Sequence, residues 1–171
     1  MKNLLSDEKY NFISEKDKQF IVAFDDAITK AGYESNGIQP YVVFGKYKIE
    51  YFRAGLKTQK YLARIYIRDE EIVLRMYFSN IDKHREYIEK SPDFIKSPFI
   101  NDYMRCNEGK RCGGIGDKNG ICRYRKTYTI DNTVYNKCAE QSFMFFQPDI
   151  SHAEKYIELL TTFYPDRKRP K

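Results

Sequence analysis

Apolar residues recur along this chain with two different periods, and the switches between them sketch its elements. Within residues 15–30, Phe20, Ala23, Phe24, Ala27 and Ile28 fall three and four apart, the spacing of one helix face. Ser14 stands where an N-cap belongs, and Gly32 where the helix end favours a left-handed residue. The preceding residues 1–13 show no clear period and read as a loose arm. Beyond Gly32 the period drops to two. Tyr41-Val42-Val43-Phe44 reads as a strand that breaks at Gly45, and alternation resumes over 48–53. Residues 60–68 and 72–78 carry the strongest strand patterns. A helix is expected over 82–90, and Ser91-Pro92-Asp93 opens a short further turn before Pro98. Residues 124–130 and 134–138 predict a hairpin across Asp131-Asn132, and 142–146 another strand. Ser151 with Glu154 reads as a capping box for a last helix, striped by Ala153, Ile157, Leu160 and Tyr164.

This order predicts an α+β fold. The expected packing is a single antiparallel, at most mixed, sheet of six to seven strands, with the N-terminal and C-terminal helices on one face. One domain is expected over residues 1–171, a length within the single-domain range, with a Cys/Gly-rich loop inserted at 103–123 and a basic tail at 166–171. No apolar run is long enough to span a membrane, and Met1-Lys2-Asn3-Leu4-Leu5 does not read as a signal peptide. The chain is therefore expected to be cytoplasmic, with reduced thiols.

The hairpin over 60–78 carries a register argument. Tyr61, Ala63, Ile65 and Ile67 share a face with Ile72, Leu74, Met76 and Phe78 only if Ile67 pairs with Ile72 and Ile65 with Leu74. Arg64 then stands opposite Arg75, beside Tyr66 and Tyr77. Like charges so placed are unfavourable unless something negative lies between them. Glu50 on the neighbouring strand is one candidate compensator, and a bound anion is the other. Tyr51 and Arg53 are expected to extend the same surface, so Arg64, Tyr66, Arg75, Tyr77, Tyr51 and Arg53 form the candidate ligand site. Arginine suits it, because its planar fork grips carboxylate or phosphate through two parallel bonds.

Four cysteines, Cys106, Cys112, Cys122 and Cys138, cluster around the glycine-rich insertion. In a reducing compartment such a cluster points to a metal site, and tetrahedral thiolate ligation favours structural zinc. The spacing lacks a C-x2-C knuckle and also suits an iron–sulfur cluster or unligated thiols. A zinc held by all four would staple the fold and leave no open position for catalysis.

Composition changes the picture in two places. The chain has 15 Tyr and 12 Phe but no Trp, so its sheet surfaces are rich in amphipathic rings. Its net charge of +6 is local. Arg105, Lys110, Arg111, Lys118, Arg123, Arg125 and Lys126 crowd the insertion, and Arg167, Lys168, Arg169 and Lys171 the tail. Local basicity points to a polyanion or a phosphate. Arg123, Tyr124, Arg125 and Lys126 are thus a candidate nucleic-acid surface, with stacking on Tyr124 and Tyr128. The two histidines, His84 and His152, are expected to be solvated. No nucleophile elbow, phosphate loop or H-E-x-x-H motif stands out to argue for an enzyme.

Gly45-Lys46, the run Arg64-Ile65-Tyr66-Ile67-Arg68, the loop Cys106 to Cys138 and the Phe163-Tyr164-Pro165 ending resemble a family of small uncharacterised bacterial proteins over residues 20–165. A weaker likeness, in element order, is to the YdhG-like (frataxin-resembling) α+β domains, which lack a four-cysteine insertion. Both likenesses imply an α+β fold, and neither supplies functional residues. The expected function is a zinc-stapled, non-enzymatic binding or sensor domain for an anionic small molecule. Nucleic-acid binding is the alternative, and an enzyme of unrecognised type the third reading.

Overall fold

The computed structural model describes residues 1, 3–53, 61–103, 105–106, 125–138 and 143–165. The chain divides into two compact units, residues 1–77 with 144–171, and residues 78–143.

In the first unit, α1 (Glu15–Lys30) begins where Ser14 accepts the Asp17 amide at 3.1 Å, and Gly32 follows it at φ 87°. Both caps agree with the sequence. The sheet runs β1 (Tyr33–Pro40), β2 (Tyr47–Arg53), β3 (Tyr61–Ile67) and β4 (Ile72–Met76) as an antiparallel meander, and β7 (Phe143–Phe146) lies beside β4. Ile49, Tyr51, Ala63, Ile65, Ile67, Ile72, Leu74 and Met76 are all buried and fill one face. α1 and α4 (Ala153–Phe163) pack there: the Phe24 ring lies 5.4 Å from Tyr51, and Tyr156 of α4 lies 6.0 Å from Phe20 and 5.1 Å from Phe145. Helices on one face of an antiparallel sheet is the expected arrangement.

Several expectations fail in this unit. Residues 41–44 are not a strand. They lead off β1, with Val42 and Val43 at 92% and 80% exposure, and β1 itself is the polar run Tyr33–Pro40. An edge strand tolerates that composition. It needs no second apolar face, and it accommodates both the terminal Pro40 and the irregularity between Ser35 and Ile38, where Gly37 takes φ 71°. The arm over 1–13 is also packed, not loose. Two short 3₁₀ turns bury Leu5 and Tyr10, Ile13 is buried as well, and the Tyr10 ring meets Tyr47 at 5.0 Å. Turns that short have no period to read. The last helix is capped differently too. Asp149 accepts the Ser151 amide and hydroxyl and so starts a 3₁₀ turn that leads into α4.

The second unit holds a 3₁₀ turn at Ile81–His84, α2 (Arg85–Lys90), α3 (Asp93–Ile100) and the hairpin of β5 (Arg125–Ile130) with β6 (Thr133–Cys138). Asp131 and Asn132 both have positive φ, as a type I′ turn requires. The hairpin forms its own two-stranded sheet, so in place of the expected single sheet of six to seven strands the described residues form a five-stranded and a two-stranded sheet. The apolar side of the hairpin is spent locally. Tyr128 is buried and donates to the Phe99 carbonyl oxygen, and Phe99 stacks on Phe78 and Phe143 at 5.6 and 4.3 Å. On the same side Lys137, 5% exposed, donates to the backbone oxygens of Asn101 and Tyr103 and to Asn101 Oδ1. Burial pulls its pKa down to about 8 against the nearby Asp102 charge. The three oxygens take its three N–H donors, which is how a buried lysine is tolerated.

Candidate functional site

The register deduced for the central hairpin is the one found. Ile67 pairs with Ile72, Ile65 with Leu74, and Arg64 with Arg75. β2 extends the row, because Glu50 is the partner of Arg64. Glu50, Arg64 and Arg75 therefore line up across three strands, on the face opposite the two helices.

Glu50 is 2% exposed and fully engaged. Its Oε1 accepts from Arg64 and, at 3.0 Å, from Lys48, while Oε2 accepts from the Asn36 amide at 3.1 Å. Asn36 also accepts the Glu50 backbone N–H at 3.1 Å, from its place in the irregular stretch of β1. Burial raises the Glu50 pKa, but the Lys48 and Asn36 hydrogen bonds and the Arg64 charge outweigh it and hold the carboxyl below its ordinary value.

Arg75 is placed differently. Among the described residues no carboxylate lies within ion-pair distance of it. Its guanidinium lies 4.5 Å from the Tyr77 ring centre and donates to the Tyr66 hydroxyl at 3.0 Å. Arg64 donates to that same hydroxyl at 2.9 Å, with the rings of Tyr41, Tyr61, Tyr66 and Tyr77 all within 6 Å of it. Among the described residues, Lys48, Arg64 and Arg75 thus face a single carboxylate. The Nε atoms of both arginines are buried and have no acceptor among the described residues.

The loop 41–46 lies against this face. Tyr41 and Phe44 pack on Tyr66, Val73 and Met144, with the Phe44 ring 4.8 Å from that of Tyr66. Lys46 donates its backbone N–H to the Ile67 carbonyl oxygen at 2.9 Å. A Cβ on Gly45 would stand 2.7 Å from that oxygen, so glycine is what permits the close approach. A cleft of about 740 Å³ opens at the β3–β4 turn, bordered by Val42, Val43, Lys46, Arg68 and Glu70. It excludes the arginine pair, and two of its cations are answered locally, Lys46 by Asp69 and Arg68 by Glu71.

Arg64, Tyr66, Arg75 and Tyr77 are brought together as expected, but Tyr51 and Arg53 are not. Tyr51 pairs with Ala63 and is buried among the helices, where burial and the Asp25 charge hold its pKa well above that of an ordinary phenol. Neighbours along a strand face opposite ways, so Glu50 and Tyr51 cannot share a surface. Arg53 is drawn to the carbonyl oxygen of Pro165, after α4. Lys48, Asn36 and Tyr41 are not among the expected site residues, and Tyr61, expected on the apolar face, stands with its ring within 6 Å of the Arg64 guanidinium. For Lys48 the alternation with Glu50 was a usable signal; Asn36 depends on an irregularity that no pattern announces.

Of the cysteines, Cys112 and Cys122 lie outside the described residues, as do Arg123 and Tyr124. Cys106 and Cys138 are free thiols, half-buried. Arg105 bridges Lys137 and Cys106 bonds Asn136, so Cys106 and Cys138 occupy diagonal positions on one side of β6. No group of three metal-ligating side chains occurs among the described residues. Lys126 donates to the Phe78 carbonyl oxygen, and Arg125 is half-buried opposite Cys138. His84 and His152 are half-buried. No helix among the described residues is long and apolar enough to cross a membrane.

Comparison with protein-family models, with known proteins and with solved structures finds no match. The reading of the site therefore rests on its own geometry.

That geometry makes Glu50 a structural keystone. Glu50→Gln leaves Arg64 and Lys48 without their carboxylate and should destabilise the first unit by about 3 kcal/mol, the usual scale for breaking a buried pair from one side. Because the folded pKa of Glu50 is depressed, its contribution is present above the unfolded value and fades as pH falls through the folded one. Denaturant melts of wild type and variant should therefore converge in acid. Equal stability at neutral pH would contradict the assignment.

Proposed function

We propose that this chain is a non-enzymatic binding domain for an anionic small molecule, held on the Arg64–Arg75 face. One observation carries the reading: two adjacent guanidiniums each keep a buried Nε–H without an acceptor, and Arg75 has no carboxylate partner among the described residues. Buried donors are nearly always satisfied, and a charged donor left unpaired is costly. An oxyanion would supply acceptors and charge together, and the surrounding Tyr rings would shield it from solvent. Two arginines on a rigid sheet recognise a carboxylate or phosphate group by geometry as well as by charge.

Sulfate reports on such a site without the identity of its natural occupant. Millimolar sulfate should raise the melting temperature of the wild-type protein by several degrees, as ligand linkage requires. Arg75→Met should remove that gain, with little effect on stability in its absence. A gain of equal size in the variant would rule out the site.

We further propose a structural zinc held by Cys106, Cys112, Cys122 and Cys138. The placement of Cys106 and Cys138 on one side of β6 favours it, since both thiolates could then reach one ion. Elemental analysis should find about one zinc per chain in wild type and a marked loss in Cys138→Ser. Four freely titratable thiols without metal in the native protein would refute this. Nucleic-acid binding gains less support, because Lys126 is committed to a backbone oxygen.

A further inference from the structure

Tyr66 occupies an unusual place in the site. Its hydroxyl oxygen accepts from Arg64 Nη1 at 2.9 Å and from Arg75 Nη1 at 3.0 Å, so both of its lone pairs are spent on guanidinium donors. The residue as a whole is 1% exposed. The charged and titratable groups that face it are Lys48 and Glu50 from β2, Arg64 from β3, and Arg75 and Tyr77 from β4; Tyr41 and Phe44 cover it from the loop. Lys48 is its direct partner across β2. Three cations against one carboxylate leave this patch positive, and the phenol oxygen sits at its centre.

We propose that Tyr66 is itself a binding residue that reverses its role: in the free protein its oxygen accepts from Arg64 and Arg75, and when an oxyanion takes those donors Tyr66 becomes a protonated donor to it. The inference rests on the proposed anion site and adds its proton coupling. In the free protein at alkaline pH the phenolate is the internal anion that balances the arginine pair. As the oxyanion arrives, the phenolate takes one proton from solvent, and the O–H so formed donates to the incoming oxygen. No covalent bond to the ligand forms, and the proton is the only other species exchanged.

Electrostatics support the arrangement. Burial works to raise the Tyr66 pKa, but the Arg64 hydrogen bond and the charges of Arg75 and Arg64 outweigh it and hold the phenol below its ordinary value. Tyr77 goes the other way. Burial dominates there and pushes its pKa far above the ordinary phenol. Two neighbouring phenols are thus driven apart, one towards ionisation and one away from it.

The test is calorimetric titration of the full-length chain with sulfate, at a pH just below the ordinary tyrosine value of about 10, in two buffers of different ionisation enthalpy. Net proton uptake on sulfate binding is expected for wild type and for Tyr77→Phe, and none for Tyr66→Phe. If Tyr66→Phe does not fold, the near-ultraviolet tyrosinate absorbance of the wild-type protein gives the same answer. It should appear at lower pH than that of free tyrosine, and move to higher pH with saturating sulfate. Sulfate binding that depends on Arg75 but takes up no proton would overturn the role of Tyr66 and leave the anion site standing. Absence of Arg75-dependent sulfate binding at any pH would overturn both.

Discussion

A carboxylate buried between strands must be matched or neutralised, and the polar face of the five-stranded sheet is arranged around that demand. Glu50 is matched three ways, by Arg64 across the strand gap, by Lys48 two residues back, and by Asn36 from the irregular edge strand. Because the register places Arg75 in the same row, answering Glu50 with Arg64 brings a second guanidinium to a place where the carboxylate is already spent. The surplus is held by rings and by a phenol oxygen instead of by a charge. That imbalance is what makes the face a candidate site and not only an ion-pair network.

The opposite face sets the conditions for it. Ile49, Ile65, Ile67, Ile72, Leu74 and Met76 are locked under α1 and α4, and a slip of one residue would turn every one of them outward. The hydrophobic core therefore fixes the register, and the register fixes which polar residues meet. Arg64 and Arg75 are adjacent because isoleucines and leucines on the other side leave them no alternative. The loop 41–46 then closes over Tyr66, which Gly45 permits by letting the backbone approach Ile67.

How much of this was legible in the sequence follows from the same physics. The hairpin register, the Ser14 cap, the Asp131-Asn132 turn and the helical stripe of α4 were readable, since each is a local pattern with one satisfactory solution. β1 was not: an edge strand with Gly37, Pro40 and polar neighbours carries no alternation, and the valines at 42 and 43 looked more like a strand than the strand did. The packed arm before α1 was missed because 3₁₀ turns too short for periodicity bury Leu5 and Tyr10 one at a time. Alternation with Glu50 turns Tyr51 towards the core, so its place off the ligand face is itself legible in the sequence. The bond of Tyr66 to both arginines lies beyond pattern reading, because it depends on how three side chains lean across two strands.

The central claim is that Glu50 compensates Arg64 and that no carboxylate among the described residues answers Arg75. Two double-mutant cycles measured by denaturant unfolding test it directly, pairing Glu50→Gln first with Arg64→Met and then with Arg75→Met. The account predicts a coupling of about 2 kcal/mol or more for Glu50 with Arg64, and less than about 0.5 kcal/mol for Glu50 with Arg75. Couplings of similar size in both cycles would mean that the carboxylate serves both arginines, and would contradict it.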